Sequence, residues 1–239
     1  MSLPLSVVVP VYNEEKHIEP LLENIRVHTA DLPLEVLVIY DFEEDSTLPV
    51  VSRIRGDFPF SIRLVRNRYG RGALNAIRTG LEEGSGEAAV VLMADLSDDL
   101  SVLKRMHELI RDGYDLVCGS RYMKGGAQIG GPLIKKTMSR LAGVSLHHLT
   151  GIPTLDVTNS FKMYSRRLLD HVNVESRGGF EIGMEIAVKA FLEGFRITEV
   201  PSVWRDREHG KSRFRTAAWL PRYLKWYFHA FRVYRLRAS

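Results

Sequence analysis

The sequence of 239 residues is poor in several features that would define a class of protein. A single cysteine, Cys118, excludes an internal disulfide framework and indicates a reducing compartment. No apolar run approaches the length of a membrane span, and the start of the chain lacks the basic segment of a signal peptide. Neither GxGxxG nor GxxxxGK followed by Ser or Thr occurs, which argues against a dinucleotide-binding fold and excludes a P-loop enzyme. The composition, 45% apolar and 26% charged, is that of a globular domain, alone or with an appendage.

The charge of the chain is unevenly distributed. Residues 201–239 contain ten Lys or Arg and two Asp or Glu, a balance of +8, whereas the whole chain carries +4. Residues 1–200 therefore carry a net charge of −4. A basic C-terminal segment on a mildly acidic body is typical of proteins that bind nucleic acid or anionic lipid. Because no nucleic-acid-binding motif is present, we expect an anionic membrane surface, and no nucleic acid, as a partner.

Strand-like apolar runs alternate with helical patterns along the first half of the chain. The predicted strands are 5–10, 35–40, 61–65, 88–93 and 114–120, and the predicted helices between them are 14–27, 47–55, 71–84 and 100–113. This alternation predicts an α/β fold with a mostly parallel central sheet and helices on both faces. We expect one such domain over residues 1–213, followed by a basic amphipathic helix within 214–239. Ligands of these sheets bind beyond the carboxyl ends of the strands, so the strand ends form the candidate site.

Acidic residues follow two of the predicted strands. The stretch VVLMADLSDD, residues 90–99, ends a buried strand in three carboxylates, which repel one another and lose hydration. Asp98 and Asp99 have two equally good explanations, which are capping of the next helix and binding of a cation. Asp95 precedes the turn, so capping does not explain it, and a bound cation is favoured. The loop YDFEEDST, residues 40–47, adds four more acids. Two acidic loops at one sheet edge predict a divalent cation, Mg²⁺ or Mn²⁺, held together with substrate phosphates.

Two segments rich in glycine and basic residues are candidates for binding those phosphates. RNRYGRGALNAIRTG, residues 66–80, places Gly70 and Gly72 before a helix N-terminus, which favours anions, although many Gly-rich helix starts are only turns. WRDREHGKSRF, residues 204–214, supplies forked guanidinium donors from Arg207 and Arg213. The alternative for this second segment is a solvated basic loop.

Seven motifs, in order, resemble the family-2 glycosyltransferases of GT-A fold, and most of all the dolichol-phosphate mannose synthases and related polyprenyl-phosphate sugar transferases. VVVPVYNEE resembles their first strand and nucleotide loop, YDFEEDST their DDxSxDxT loop, and RNRYGRGALNAIRTG their NxGxGxA helix start. MADLSDD falls on their DxD metal motif, and GSRYMKGG on their GSRYxxGG motif. LDVTNSFKMYSR and ITEVPSVWRDREHGKSRF are similar to a segment near the acceptor and to the ending of the domain. The resemblance runs from residue 5 to residue 215.

The chain departs from this family at two acidic pairs. Tyr40 and Met93 stand where the family has the first aspartate of each pair. Asp41 and Asp95 align with the second members, and the resemblance makes Asp95 the more direct metal ligand. Two nearby acids are candidates to replace the missing carboxylates: Asp98 and Glu43.

The resemblance implies a role for each candidate residue on the donor side. The residues of the base and ribose pocket are Pro10, Tyr12 and Glu14. Asp41 accepts a hydrogen bond from the base edge, and two residues lie near the nucleotide: Arg71 and Gly72. The predicted ligands of the cation that bridges the diphosphate are Asp95, Ser97 and Asp98.

The resemblance also implies roles on the acceptor side. Arg121 lies where the acceptor phosphate arrives, and Arg207 and Arg213 close on the phosphates from the far side. Asp156 is a candidate general base, although an ionised phosphate acceptor needs none, and its alternative role is that of a loop cap. Glu185 lies near the active site in the family, and its alternative role is a charge at a helix N-terminus.

Two helical segments are candidates for contact with a membrane. Residues 132–151 place Ile134, Met138, Leu141 and Ser145 on one face, beside three basic residues. Residues 216–237 repeat Leu, Tyr and Phe at spacings of three to four, with basic residues on another face, which fits the interface plane of a bilayer. The alternative is a helix that packs its aromatic face on the body of the protein.

The motifs and the resemblance together predict an inverting glycosyltransferase. It moves a sugar from a nucleoside-diphosphate sugar to a polyprenyl phosphate in one displacement, as a peripheral protein at the cytoplasmic face of the membrane. A soluble transferase of the same fold with a glycan or small-molecule acceptor is one alternative. The other is a degenerate protein that binds nucleotide without turnover. Arg207 and Arg213 argue against it, because such a protein would have no use for a clamp on the phosphates.

Overall fold

A computed structural model describes residues 4–206 and 216–238, with the side chains of the last helix described from 220 to 232. Within these residues the strands are β1 (Leu5–Pro10), β2 (Leu34–Tyr40), β3 (Ser61–Arg66), β4 (Ala88–Val91), β5 (Leu116–Ser120), β6 (Ala127–Ile129), β7 (Lys162–Ser165), β8 (Ile197–Pro201) and β9 (Val203–Arg205). The α-helices are α1 (Ile18–His28), α2 (Thr47–Ile54), α3 (Ala73–Glu83), α4 (Leu103–Arg111), α5 (Leu133–Thr150), α6 (Arg166–His171), α7 (Ile182–Leu192) and α8 (Thr216–Ala238).

Seven of the strands form the central sheet, in the order β3-β2-β1-β4-β7-β5-β8. Neighbouring strands are parallel except at β7, which runs antiparallel to β4 and to β5. β6 and β9 pair separately as a short parallel ribbon. The strand order reverses at β1, which has β2 on one side and β4 on the other. The loops after these three strands therefore meet at one edge, where sheets of this kind bind ligands.

Helices cover both faces of the sheet because the side chains of each strand alternate between two cores. Val7 and Val9 of β1 belong to one core, which also contains residues of α1, α2 and α4. Val8 belongs to the other core, which contains residues of α3, α5, α7 and α8. The predicted mostly parallel sheet with helices on both faces is confirmed.

The observed elements differ from the predicted ones mainly where charge interrupts an apolar run. β1 has the predicted bounds, but β7 and β8 were not predicted as strands, since they contain Lys162 and Glu199. The helix predicted from residue 14 begins at Ile18, after a turn in which the His17 backbone N donates to the Glu14 carbonyl at 3.0 Å. The predicted domain boundary between residues 213 and 214 lies outside the described residues and stays a prediction.

Helix α8 packs on α5 and α7. Trp226 and Ala230 are buried against the body, and the Tyr227 hydroxyl lies 2.8 Å from Ser145 Oγ of α5. Tyr227 and Phe231, two members of the Leu, Tyr and Phe repeat for which the sequence suggested a bilayer, also pack against the core of the body, as in the alternative given above. Among the described residues, no helix combines the length and hydropathy needed to cross a membrane.

Candidate active site

Asp41 joins the loop after β2 to the glycine-rich loop before α3. Its Oδ1 accepts a hydrogen bond from Asn67 Nδ2 at 2.7 Å, and its Oδ2 accepts one from the Gly72 backbone N at 2.9 Å. Gly72 has a φ of 129°, which glycine adopts without the strain that a side chain would add. The fold therefore places three residues predicted for the donor side next to one another: Asp41, Arg71 and Gly72.

An aromatic and cationic surface lies beside Asp41. Tyr12 packs edge to face on Phe42 with ring centroids 5.2 Å apart, and the Arg71 guanidinium carbon lies 5.2 Å from the Phe42 ring centroid. Tyr12 is 41% exposed, so a ligand can reach its ring. Aromatic rings and arginine planes of this kind are stacking surfaces for nucleobases. Phe42 was not among the residues predicted for the pocket.

The loop after β1 is held in place by the loop after β2. The buried Asp45 accepts the Asn13 backbone N–H, with 3.1 Å to each carboxylate oxygen, and the Thr47 N–H at 2.9 Å. The Thr47 hydroxyl in turn accepts the Glu14 N–H at 2.9 Å, while the Glu14 carboxylate lies 2.8 Å from His17 Nδ1. This network fixes the segment that carries the predicted pocket residues Pro10, Tyr12 and Glu14.

The loop after β4 brings together the three predicted metal ligands. Asp95 Oδ1 accepts the Ser97 hydroxyl at 2.6 Å and the Ser97 N–H at 3.1 Å, and Asp98 Oδ2 accepts the Met93 N–H at 3.3 Å. Burial, and then the charge of Asp95, raise the pKa of Asp98 to about 7. Asp99 caps the short 3₁₀ turn that follows, accepting the Ser101 N–H at 3.1 Å. Helix capping therefore explains Asp99 and leaves Asp95 and Asp98 as a repelling pair.

This donor set fits a divalent cation that is shared with a bound diphosphate. Mg²⁺ is usually held by one or two carboxylates plus substrate phosphates, and a cation between Asp95 and Asp98 relieves their repulsion. Within 4–206 and 216–238, no three His, Cys, Asp or Glu side chains converge into a site made of protein ligands alone. Glu43, the other candidate to replace a missing family aspartate, pairs with Arg66 at 3.3 Å. Asp98, in contrast, lies close enough to Asp95 for the charge of Asp95 to raise its pKa.

Arg121 and Asp156 form a buried, two-pronged ion pair. Arg121 Nε donates to Asp156 Oδ2 at 2.7 Å, and Nη2 donates to Oδ1 at 2.8 Å. The Arg121 backbone N–H also donates to Oδ2 at 3.0 Å. Burial alone would raise the pKa of Asp156, but the charge and hydrogen bonds of Arg121 outweigh it, and the pKa is lowered. A carboxylate held in this way is a weak base, so the geometry favours a positioning role for Asp156 over the predicted general base.

Helix α5 contributes to the same cluster. Arg121 Nη2 donates to Ser139 Oγ at 3.0 Å and to Thr158 Oγ1 at 3.3 Å, and the two hydroxyls lie 2.6 Å apart. The Tyr122 hydroxyl donates to Ser139 Oγ at 2.9 Å. The guanidinium is therefore fixed on one side by a carboxylate and on the other by hydroxyls.

The acidic loop and the arginine lie within electrostatic range of each other. The positive charge of Arg121 lowers the pKa of Asp98, although burial and Asp95 outweigh it. Burial lowers the pKa of Arg121, but Asp156 outweighs burial and raises it, and Asp98 adds a smaller contribution in the same direction. The ends of β4 and β5 thus bring together a carboxylate pair and a fixed cation. Anionic groups of two substrates could be held there side by side.

Glu185 is buried in the first turn of α7 and holds the preceding loop. Its Oε1 accepts the Glu175 N–H at 2.6 Å, and its Oε2 accepts the Ser176 N–H at 2.9 Å. Lys189 Nζ lies 2.9 Å from Oε1. The carboxylate that the resemblance places near the active site, as a candidate for substrate binding, therefore orders the loop at residues 175–176.

The two predicted clamp residues, Arg207 and Arg213, lie outside the described residues. The segment that leads to them passes the acidic loop, since the Arg205 N–H donates to the Ser97 carbonyl at 3.0 Å. The Val203 N–H also donates to Asp99 Oδ2, at 3.4 Å.

Several residues that shape the site had not been identified from the sequence. Lys162 is fully buried in β7, and its Nζ donates to the Val157 carbonyl at 3.1 Å and to the Asn159 carbonyl. Asn159 Nδ2 donates to the Gly119 carbonyl at 2.8 Å, which ties the Asp156 loop to β5. Lys162 lies within the motif LDVTNSFKMYSR, so the motif could have identified it as a candidate. Ser139 lies in a mainly apolar and basic helix and has no comparable signal.

Residues 6–172 match the model of the family described as Glycosyl transferase family 2. This is more than half of the chain, and the chain therefore belongs to that family. The resemblance proposed from the motifs is confirmed at this level.

Three curated relatives are similar over most of this chain. A dolichol-phosphate mannosyltransferase of Pyrococcus furiosus is 28% identical over 217 residues, covering 89% of this chain and 60% of its own. A polyprenol monophosphomannose synthase of Mycolicibacterium smegmatis is 28% identical, with 87% and 79% covered. A dodecaprenyl-phosphate galacturonate synthase of Rhizobium johnstonii is 27% identical, with 89% and 62% covered. The chain thus spans less than two thirds of the length of two of these three relatives.

Solved structures of a glucosyl-3-phosphoglycerate synthase from Mycobacterium tuberculosis share the fold. The complex of that enzyme with Mn²⁺, UDP and glucosyl-3-phosphoglycerate superposes with a TM-score of 0.71 at 18% identity, covering 95% of this chain and 80% of the other. Another structure of that enzyme holds Mg²⁺ and UDP, with a TM-score of 0.68. The predicted GT-A fold is confirmed by this likeness.

Proposed function

We propose that this chain transfers a sugar from a nucleoside-diphosphate sugar to a polyprenyl phosphate at a membrane surface, with inversion at the anomeric carbon. The observation that carries the proposal is that Asp98 lies within electrostatic range of both Asp95 and Arg121, beyond the ends of β4 and β5. The carboxylate pair suits a cation and a leaving diphosphate, and the guanidinium suits an acceptor phosphate. The names of the three relatives, each an enzyme of a polyprenyl-type phosphate, support this acceptor class.

The residues of this chain act at separate points of the reaction. Asp41 orients the base, with Tyr12 and Phe42 as stacking surfaces. Asp95 and Asp98 would hold a divalent cation, Mg²⁺ or Mn²⁺. That cation, when bound, supplies positive charge to the leaving diphosphate. Arg121 holds the acceptor phosphate beside the anomeric carbon, which turns a bimolecular encounter into an oriented one.

The bond changes form one displacement. An oxygen of the acceptor phosphate bonds to the anomeric carbon while the bond from that carbon to the diphosphate oxygen breaks, and its electron pair leaves with the nucleoside diphosphate. A phosphate monoester with a second pKa of about 6 is mostly ionised at neutral pH, so no proton has to be removed. Asp156 then needs no basicity, and its part is to keep Arg121 in place.

We place this reaction at the cytoplasmic face of the membrane, with the protein bound peripherally. The lone buried thiol of Cys118 suits a reducing compartment, which supports that face. Arg207 and Arg213 remain the predicted clamp on the phosphates, within a catalytic domain proposed to end near residue 213.

A thermal-shift experiment with nucleoside diphosphates tests the donor site directly. We expect one diphosphate, with Mg²⁺ or Mn²⁺, to raise the melting temperature, because a ligand at ~100 times its Kd stabilises by ~2.7 kcal/mol. Asp95→Asn should remove the metal-dependent part of the shift, and Asp41→Ala should weaken binding with and without metal. Asp31→Asn, an 81% exposed acid on another part of the surface, is the matched control and should behave as wild type. Unchanged binding in both site variants would contradict the assignment of the donor site.

A further inference from the structure

The outward face of helix α5 is apolar, contrary to the usual pattern of a surface helix. Leu133, Ile134 and Leu141 are 77%, 74% and 63% exposed. At 3.6 residues per turn they share one side of the helix with Thr137 between them. Scattered exposed leucines are normal on a protein surface, but three on one helix face form a contiguous patch.

The opposite face of α5 is already used by the protein. Ser139 contacts Arg121, and Leu146 is fully buried. Gly143 lies against the Leu155 backbone so closely that a Cβ would come within 2.0 Å of the carbonyl oxygen. These contacts fix the rotation of the helix, so its apolar face is held outward.

Helix α8, which packs beside α5, also carries exposed apolar side chains. The contact between Tyr227 and Ser145 lays α8 alongside α5, and Leu224 and Phe228 of α8 are 38% and 61% exposed. We call the exposed side chains of both helices the lipid-facing patch: Leu133, Ile134, Leu141, Leu224 and Phe228.

The charge of the two helices is of one sign. Neither α5 nor α8 contains an aspartate or glutamate, whereas together they contain eight Lys or Arg. The basic residues on the described part of these helices are Lys135, Lys136, Arg140, Arg222, Lys225 and Arg232. An apolar centre with basic residues around it is complementary to an anionic bilayer, where aliphatic and aromatic side chains enter the acyl boundary and cations meet the headgroups.

We propose that the lipid-facing patch inserts into the surface of an anionic bilayer, with helix α5 as the main inserted element. This inference rests on the proposed function and assigns its membrane contact mainly to a face of α5, with Leu224 and Phe228 of α8 beside it, in place of the side of α8 that carries Tyr227 and Phe231. Because Ser139 lies on the inner side of the same helix, Arg121 sits within about one helix diameter, ~10 Å, of the inserted face. A lipid phosphate at the headgroup level can therefore approach Arg121 while its chain stays in the bilayer.

Flotation with vesicles of phosphatidylcholine and phosphatidylglycerol tests the patch. The combined variant Leu133→Ser, Ile134→Ser and Leu141→Ser should partition to vesicles at least tenfold less than wild type. Val27→Ser, which removes a 63% exposed valine from α1, is the matched control and should bind as wild type. Salt should weaken wild-type binding as the Debye length falls from ~10 Å at 0.1 M to ~3 Å at 1 M. Equal vesicle binding by the triple variant and wild type would overturn the proposal.

A site-specific probe gives an independent measurement. Leu141→Cys and Val27→Cys, each labelled with an environment-sensitive dye, leave the buried Cys118 untouched. The dye at position 141 should shift to the blue with anionic vesicles, and the dye at position 27 should not. Equal responses at both positions would contradict an oriented insertion.

Two further measurements distinguish failure of this inference from failure of the proposed function, and a membrane contact from a dimer interface. Nucleoside diphosphate binding, measured by thermal shift, should be the same in the triple variant and in wild type. If wild type binds vesicles but no nucleotide, the proposed function fails and the docking surface stands. If the triple substitution instead dissociates a dimer in solution and leaves vesicle binding intact, the patch is an interface between copies and the proposal is wrong.

Discussion

Arg121 Nη2 lies 3.0 Å from Ser139 Oγ, and this contact connects helix α5 to the buried ion pair at the end of β5. Asp156 holds the guanidinium from the other side at 2.7 and 2.8 Å. The arginine is therefore fixed between a loop of the catalytic core and a helix whose far side is exposed and apolar. In the proposed reaction, a guanidinium held in this way would bind the phosphate of the lipid acceptor.

Asp156→Asn should destabilise the protein strongly. The substitution leaves Arg121 buried without its counter-charge, and breaking a buried pair in this way costs about 3–5 kcal/mol. Denaturant unfolding of Asp156→Asn against wild type measures the loss, with Asp31→Asn expected to stay within about 0.5 kcal/mol of wild type. A fully stable Asp156→Asn that has lost only turnover would instead support the general-base role.

Gly143→Ala should destabilise the protein and displace α5. A Cβ at Gly143 would meet the Leu155 carbonyl oxygen at 2.0 Å, and because this is backbone the helix has to move, at a cost of about 1–3 kcal/mol or more. Gly56→Ala is the control, since a Cβ there has no heavy atom within 4 Å and the change should be neutral or stabilising. Equal melting temperatures for Gly143→Ala and wild type would show that α5 does not pack on residue 155 as described.

Asp98→Asn should stabilise the metal-free protein at neutral and alkaline pH. Its carboxyl has a pKa of about 7 in the folded protein and an ordinary value near 4 when unfolded. Between these values only the folded state keeps the proton, so stability falls as pH rises through this window and the full cost applies above pH 7. Since the group is partly solvated, we expect a gain of about 1–3 kcal/mol for Asp98→Asn at pH 8 and little near pH 4.

Unfolding of wild type and Asp98→Asn in a chelator, across pH 4 to 8, checks this expectation. Added Mn²⁺ with a nucleoside diphosphate should then stabilise wild type more than the variant. If the free energy of unfolding changes with pH in the same way in both proteins, the pKa of Asp98 is not raised in the folded state.

Cys118 should not react with alkylating reagents in the folded protein. It is fully buried, and burial raises the pKa of its thiol to about 11, so the reactive thiolate is scarce at pH 8. Mass spectrometry after iodoacetamide treatment should show a label only when denaturant unfolds the chain, and the Leu141→Cys variant should gain one label without denaturant. Rapid labelling of folded wild type would mean that β5 is not packed as the structure shows.

The sequence predicted the parts of the fold that depend on uninterrupted apolar patterns. β1 and the helices on either side of the sheet follow from runs such as LSVVVP and from the spacing of Ile18, Leu21, Leu22 and Ile25. β7 was missed because it is only four residues long and begins with Lys162, so its sequence has no apolar run. The buried lysine is tolerated because the carbonyls of Val157 and Asn159 accept its hydrogen bonds. Partners of this kind are known only once the chain has folded.

The strand ends and residue types of the candidate site could be predicted, but only some of its side-chain pairings could. That Asp41 meets Gly72 follows from two loops at one sheet edge, whereas the pairing of Arg121 with Asp156 depends on β7 crossing between β4 and β5. For α8, the periodic pattern showed which residues share a face, but it gave no indication whether that face meets lipid or protein. In the structure, Tyr227 and Phe231 of that face pack against the protein, where α8 lies on α5 and α7.

The most direct test of the central claim is transfer of a labelled sugar to polyprenyl phosphate in anionic vesicles. The vesicles are incubated with the full chain, Mn²⁺ or Mg²⁺, and a labelled nucleoside-diphosphate sugar whose nucleobase is the one that gives the thermal shift. The lipid-linked product is then extracted, and the configuration at its anomeric carbon is determined. The account predicts a lipid-linked sugar of inverted configuration with wild type, and loss of that product with Asp95→Asn. Binding of the donor without any lipid-linked product, or transfer only to a soluble acceptor, would contradict it.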